Sequence, residues 1–156
     1  MSYDKEVVMG TVALILGGEK ELGQKIQNPI DFDALIKKGI PSRVMYHVKK
    51  EFNLTDETLA LIIGTSLRTI ARKRKATENI TSKERLSPVE SDRLYRFARI
   101  IALADEVFES RGDALEWLNS TQHGLGGAVP FEMLQTDAGT REVEELLIRI
   151  EYGVIS

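Results

Sequence analysis

Apolar residues recur along this chain at three- and four-residue spacing, and no stretch alternates for long at period two. The pattern predicts helices nearly throughout. Val7 to Leu16 is apolar but interrupted by Gly10 and Thr11 and broken by Gly17-Gly18. It reads as a short buried helix, far below the roughly 20 residues that span a bilayer. Asp31 is placed to cap a short helix through Phe32, Leu35 and Ile36, closed by Gly39. Pro41 and Ser42 open the next, with Val44, Met45, Val48 and Phe52 on one face. Thr55 starts a third, and Leu54 before it is set to pack on Leu59 as a hydrophobic staple. "SPVE" at Ser87–Glu90 is a full capping signal, with Pro88 at the first helical position. The helix it opens is expected to run to Ser110, with Leu94, Phe97, Ala98, Ile101, Ala104 and Phe108 as its stripe and Gly112 just beyond its end. Asp113 or a neighbour restarts a helix through Leu115, Trp117 and Leu118. "HGLGGAVP" (His123–Pro130) is a loop by its glycines and proline. Thr140 is expected to cap the last helix, striped by Val143, Leu146, Leu147 and Ile150 and stopped at Gly153. The fold class is all-α.

One pair of helices carries chemistry. In "TDETLALIIGTSLRTIARKRK" (Thr55–Lys75), a small residue, Ala60, precedes a turn glycine, Gly64, by four places. Ser66 then caps a second helix whose Leu67 and Ile70 point inward. This is the order a helix-turn-helix needs: close packing of two helices, a left-handed turn residue, and a fresh start. The outward side offers Arg68, Thr69 and Arg72, then Lys73, Arg74 and Lys75. Such a face supplies donors for base edges and charge for phosphates, so Ser66, Arg68, Thr69, Arg72, Lys73, Arg74 and Lys75 are the candidate DNA-binding residues. Lys73 falls where such motifs place another apolar residue, which predicts fraying of the helix end or a one-residue shift in its packing.

Charge sharpens this picture. The net of −3 is polarised. Ser66–Arg85 holds seven basic residues against two acids, a net of +5, and Leu103–Ser156 holds eleven acids against three arginines, a net of −8. Two surfaces for two partners are expected. Arg93, Arg96 and Arg99 line another face of the long helix and are expected to be solvated or paired with acids. The absence of cysteine removes disulfides and thiolate metal sites and suits a cytoplasmic protein. "MSYDKEVVMG" has no basic segment ahead of its apolar stretch, so no secretory signal is expected. An enzyme is not expected. His47 and His123 have no partners in sequence, "LGGAVP" lacks the spacing of a dinucleotide fingerprint, and "LILGGEK" lacks the Lys-Ser/Thr of a phosphate loop. No cofactor or metal is called for.

Several segments together resemble the Xre/MbcA/ParS-type antitoxins of bacterial type II toxin–antitoxin pairs, in particular those paired with RES-domain toxins. They are "GIPSRV", "IGTSLRTIARKRK", "RLSPVESDRLYRFARI", "ALEWLNS" and "LGGAVPFEMLQTDAGTREVEELLIRIEYG". The last is the most specific. The loop "NSTQHG" departs from the pattern by lacking a proline often found there. The resemblance implies a homodimeric repressor with an N-terminal helix-turn-helix region (1–86, the motif at about 55–75). A long helix joins it to a small helical C-terminal toxin-binding domain (87–156). It also implies a partner that degrades NAD⁺, blocked by the antitoxin, and duplex operator DNA as second partner.

The resemblance bears on "RIEYGVIS", the last eight residues. Past the glycine stop stand two branched apolar side chains and a terminal carboxylate. They either pack on their own domain or enter the partner's cleft; with the resemblance, insertion is expected. The candidate toxin-binding residues are therefore Glu151, Tyr152, Gly153, Val154, Ile155 and Ser156, with Gly126 and Gly127 allowing close approach. The alternative is a plain helix-turn-helix transcriptional regulator whose C-terminal domain serves dimerisation or ligand sensing. A stand-alone enzyme is a third, weaker class.

Overall fold

The computed structural model describes residues 4–78 and 83–153. Nine α-helices are present among them: α1 (Lys5–Ile15), α2 (Gly18–Leu22), α3 (Pro29–Lys38), α4 (Arg43–Glu51), α5 (Asp56–Ile63), α6 (Leu67–Thr77), α7 (Pro88–Phe108), α8 (Arg111–Leu118) and α9 (Asp137–Glu151). Short 3-10 segments at His123–Leu125 and Pro130–Gln135 join α8 to α9. The described residues form no strand, only isolated bridges between Pro41 and Arg85 and between Gln122 and Ala128. None of their helices is long and apolar enough to cross a membrane.

The chain forms two compact units. One holds Ala13–Tyr95; the other begins again at Arg96 and includes the start of the chain up to Val12. The division falls inside α7, so one continuous helix serves both. In the first unit, α4 packs against α5 and α6, and α2 against α4. Leu16, Leu22, Phe32, Leu35, Ile40, Val44, Met45, Val48, Leu59, Ile63, Ile70 and Leu94 fill its core. The Phe32 and Tyr95 rings sit 4.9 Å apart. In the second unit α9 lies on the 3-10 segments. Its core includes Val12, Phe97, Ile101, Ala114, Leu118, Val143 and Leu147. Phe97 stacks on Phe131 at 5.4 Å.

Four helix boundaries differ from the expectation, the three starts among them because a nearby polar side chain reaches the free amide groups first. Asn28 rather than Asp31 caps α3: its side chain accepts from the Asp31 amide, and the Asp31 carboxylate accepts from the Asn28 amide in return. α7 stops at Phe108, where Glu109 turns left-handed at φ 55°. Ser110 then caps α8, which leaves Gly112 inside that helix rather than past the previous one. Thr136, not Thr140, caps α9; its hydroxyl accepts from the Gly139 amide at 2.9 Å. Thr140 is buried one turn on and donates to the Thr136 carbonyl. The Ser87–Glu90 box forms as read, with Glu90 accepting from the Ser87 amide at 2.8 Å and Ser87 from the Glu90 amide at 3.1 Å.

Candidate nucleic-acid interface

The motif begins with a cap. Thr55 accepts from the Thr58 amide and starts α5. Ala60 is buried at the α5–α6 contact. Gly64 sits at φ 69°, ψ 42° and donates to the Ala60 carbonyl, ending α5. A side chain there would be strained in φ and would also meet the Arg93 guanidinium. Ser66 then accepts from the Thr69 amide at 3.1 Å and opens α6. Its hydroxyl is thus spent on the helix start, also donating to Thr69 Oγ1.

Two inward expectations for α6 are corrected. Leu67 is half exposed, not part of the packed face. Lys73 is buried at 5 % exposure, yet the helix neither frays nor shifts and runs on to Thr77. Its ammonium donates to Glu84 Oε1 and to the Arg85 carbonyl, both at 3.1 Å, and lies 3.9 Å from Glu90. A charge is tolerated in an apolar position because the chain returns with a carboxylate and a carbonyl to meet it. Lys73 is thereby withdrawn from the set able to reach a phosphate.

Arg74 is also pinned. It pairs with Asp56 and lies over the Tyr46 ring at 5.2 Å. Lys49 reaches the same carboxylate at 3.3 Å. Burial raises the Asp56 pKa, but hydrogen bonds from Arg74 and Lys49 outweigh it and hold the group below the usual range. The Tyr46 hydroxyl donates to the Ile70 carbonyl, and burial pushes its pKa up to about 12 against the lowering effect of Arg74. Tyr46 therefore stays a donor and ties α4 to α6 at any ordinary pH. What remains outward on α6 is Arg68, Arg72 and Lys75, all exposed, with Thr69 partly so.

In the other unit, Gln122 and Ala128 close the glycine loop: the Gln122 amide donates to Ala128 and the Gly127 amide returns to Gln122. Gly126 and Gly127 are left-handed, exposed, and have nothing within 4 Å of an added Cβ. α9 ends at Glu151; Tyr152 is 51 % exposed, and Gly153 at φ 73° donates to the Ile150 carbonyl. Val154, Ile155 and Ser156 lie outside the described residues.

Residues 31–99 match the family described as the antitoxin Xre-like helix-turn-helix domain, and residues 103–153 the antitoxin Xre/MbcA/ParS C-terminal toxin-binding domain. An antitoxin Xre from Yersinia enterocolitica is 30% identical over 122 residues, 78% of each chain. The chain belongs to the Xre antitoxin family. Another antitoxin Xre, from Pseudomonas putida, is 40% identical over 80 residues, which is 51% of this chain and 50% of that one. A relative from Sphingobium named Prs ADP-ribosylating antitoxin is 25% identical over 138 residues, 83% of each chain.

This Xre-family chain thus carries a helix-turn-helix domain and a C-terminal toxin-binding domain. Sequence reasoning missed Glu84, the acid that receives Lys73, because nothing in spacing reveals that residues 84–86 fold back beside residues 40–42. It also missed the Asp56–Arg74–Tyr46 cluster, whose members stand 10 and 18 residues apart on three helices.

Proposed function

We propose that this chain is an antitoxin that neutralises a RES-type, NAD⁺-degrading toxin and represses its own operon by binding duplex operator DNA. DNA binding falls to the half up to residue 86 and toxin binding to residues 87–156. The observation that carries the DNA half is the geometry of α5–Gly64–α6, with Arg68, Arg72 and Lys75 outward on a capped helix. Arg68 and Arg72 are assigned to base edges and Lys75 to phosphate; Thr69 and Ser66 lie at the helix start where bases are met. A homodimer would set two such helices roughly 34 Å apart and read an inverted repeat. The match of residues 103–153 to a toxin-binding domain supports the other half, together with the resemblance to RES-paired antitoxins. A cytoplasmic location follows from both partners.

Residues Glu151–Ser156, together with Gly126 and Gly127, are assigned to the toxin. The chain leaves α9 at a glycine turn with Tyr152 half exposed, which supports this assignment. The test is a mixture of the two proteins assayed for NAD⁺ consumption. The full chain should silence the toxin. A chain lacking Val154–Ser156 should keep its melting temperature and DNA affinity and release the activity. If the shortened chain still silences fully, occlusion belongs to another element, with the loop His123–Pro130 next. The ADP-ribosylation in the Sphingobium relative's name makes ADP-ribose transfer a second readout for the same mixture.

A further inference from the structure

The first unit contains a cationic cleft outside the helix-turn-helix motif. Its volume is about 470 Å³, and Lys38, Pro41, Arg43, Lys83, Glu84 and Arg85 line it. The wall is held by backbone: the Ser42 amide donates to the Glu84 carbonyl at 3.0 Å and the Leu86 amide to the Ile40 carbonyl at 2.8 Å. Arg85 donates to the Gly39 carbonyl, a neutral partner that leaves its charge uncompensated. Arg43 has a counter-charge in Glu21, 3.6 Å away. The cleft's own acid, Glu84, is committed to Lys73 and to Arg72 at 3.6 Å. Lys38 and Lys83 are exposed and enter no ion pair among the described residues. Three cations, Lys38, Lys83 and Arg85, therefore face one preformed cavity without an acid of their own, the arrangement that an oxyanion with several acceptor oxygens satisfies.

The position of the cleft identifies the anion. Arg72, on the outward face of α6, reaches Glu84 in the cleft wall, so the recognition surface and the cleft adjoin. The contact is made from the middle of α6, beyond its capped N-terminal turn. Recognition helices meet base edges near their N-terminus, and the groove gives way to the strand backbone toward the other end. We propose that this cleft takes a backbone phosphate of the duplex whose major groove α6 enters, with Lys38 and Lys83 as its contacts. This rests on the DNA-binding reading above. The cleft would fix the register of the protein on the duplex and add affinity without adding sequence preference.

The experiment is a salt titration of the full chain on its promoter DNA and on an unrelated duplex, with Lys38→Ala, Lys83→Ala, the double variant, and Arg68→Ala as a base-edge control. Both lysines are exposed, and melting temperatures check that the variants fold. Removing both lysines should lower the slope of log affinity against log salt by about 0.9, the value for one phosphate, each single variant should lower it by part of that, and both duplexes should weaken equally. Between about 50 and 200 mM salt, that slope change makes the wild-type advantage over the double variant shrink about 3.5-fold. A neutral methylphosphonate in the contacted strand should weaken the wild type and leave the double variant unaffected. Wild-type slopes in both lysine variants, while Arg68→Ala loses promoter preference, would overturn the cleft and leave the DNA reading standing. Wild-type slopes together with inorganic phosphate displacing the Lys83 resonances in free protein would make it a small-anion site and overturn the proposal. No binding to any duplex would end both readings.

Discussion

Lys73 offers the sharpest test, because pattern and packing assign it opposite roles. On the pattern it is a phosphate contact; in the structure its side chain is 6% exposed and engaged by Glu84 and the Arg85 carbonyl. Consider Lys73→Met, which keeps length and removes charge. Breaking a fully buried pair costs about 3–5 kcal/mol, because the remaining charge is stranded. Here the stranded groups are less exposed to that penalty. Glu84 keeps 30% exposure and Arg72 at 3.6 Å, and Glu90, 14% exposed, keeps the Ser87 amide. The discounted loss is about 2–3 kcal/mol. Adding Glu84→Gln removes the stranded charge and should recover about half of it. The assay is urea unfolding at one protein concentration, followed by circular dichroism, beside a salt titration of DNA binding. The wild-type salt slope should be retained by Lys73→Met once binding is corrected for the folded fraction. A loss below about 0.5 kcal/mol accompanied by a slope lowered by about one unit would refute the burial argument and return Lys73 to the DNA surface.

Gly139→Ala should destabilise by about 2 kcal/mol or more, although alanine is the better helix former, because its Cβ would stand 2.1 Å from the Met133 carbonyl oxygen, a backbone atom. Gly10→Ala, also in a helix but with nothing within 4 Å, should instead gain about 1 kcal/mol, and thermal melts of the two variants check the contrast. Phe97→Ala should cost about 3–5 kcal/mol in urea unfolding, since Phe97 is 2% exposed and stacked on Phe131. Asp56 has a lowered pKa in the folded chain, so its contribution is present above the unfolded value of about 3.9 and is lost as pH falls through the lower folded value. The stability gap between wild type and Asp56→Asn should thus be open at neutral pH and close in acid, and a gap that widens in acid would reverse the sign.

Local chemistry settles many features before any tertiary contact exists. A serine or threonine reaches an amide three residues on, and a glycine takes a positive φ, wherever the chain goes. So Thr55, Gly64, Ser66 and the Ser87–Glu90 box were legible, and so was the all-α class. Where two capping residues competed within a few positions, at Asn28 against Asp31 and at Thr136 against Thr140, spacing alone did not choose. Long-range pairing was invisible for a different reason. The fate of Lys73 depends on Glu84 being brought beside it by the pairing of residues 84–86 with 40–42, and Leu67 is half exposed because α4 and α5 cover only the Ile70 side of α6. The sequence by itself determined the all-α class, the helix starts at Thr55, Ser66 and Ser87, and that a basic helix follows a turn glycine, since each is decided within one helical turn. Only the tertiary structure decided which cations face solvent and which are spent inside, because a charge's cost depends on what the rest of the chain places within about 4 Å of it.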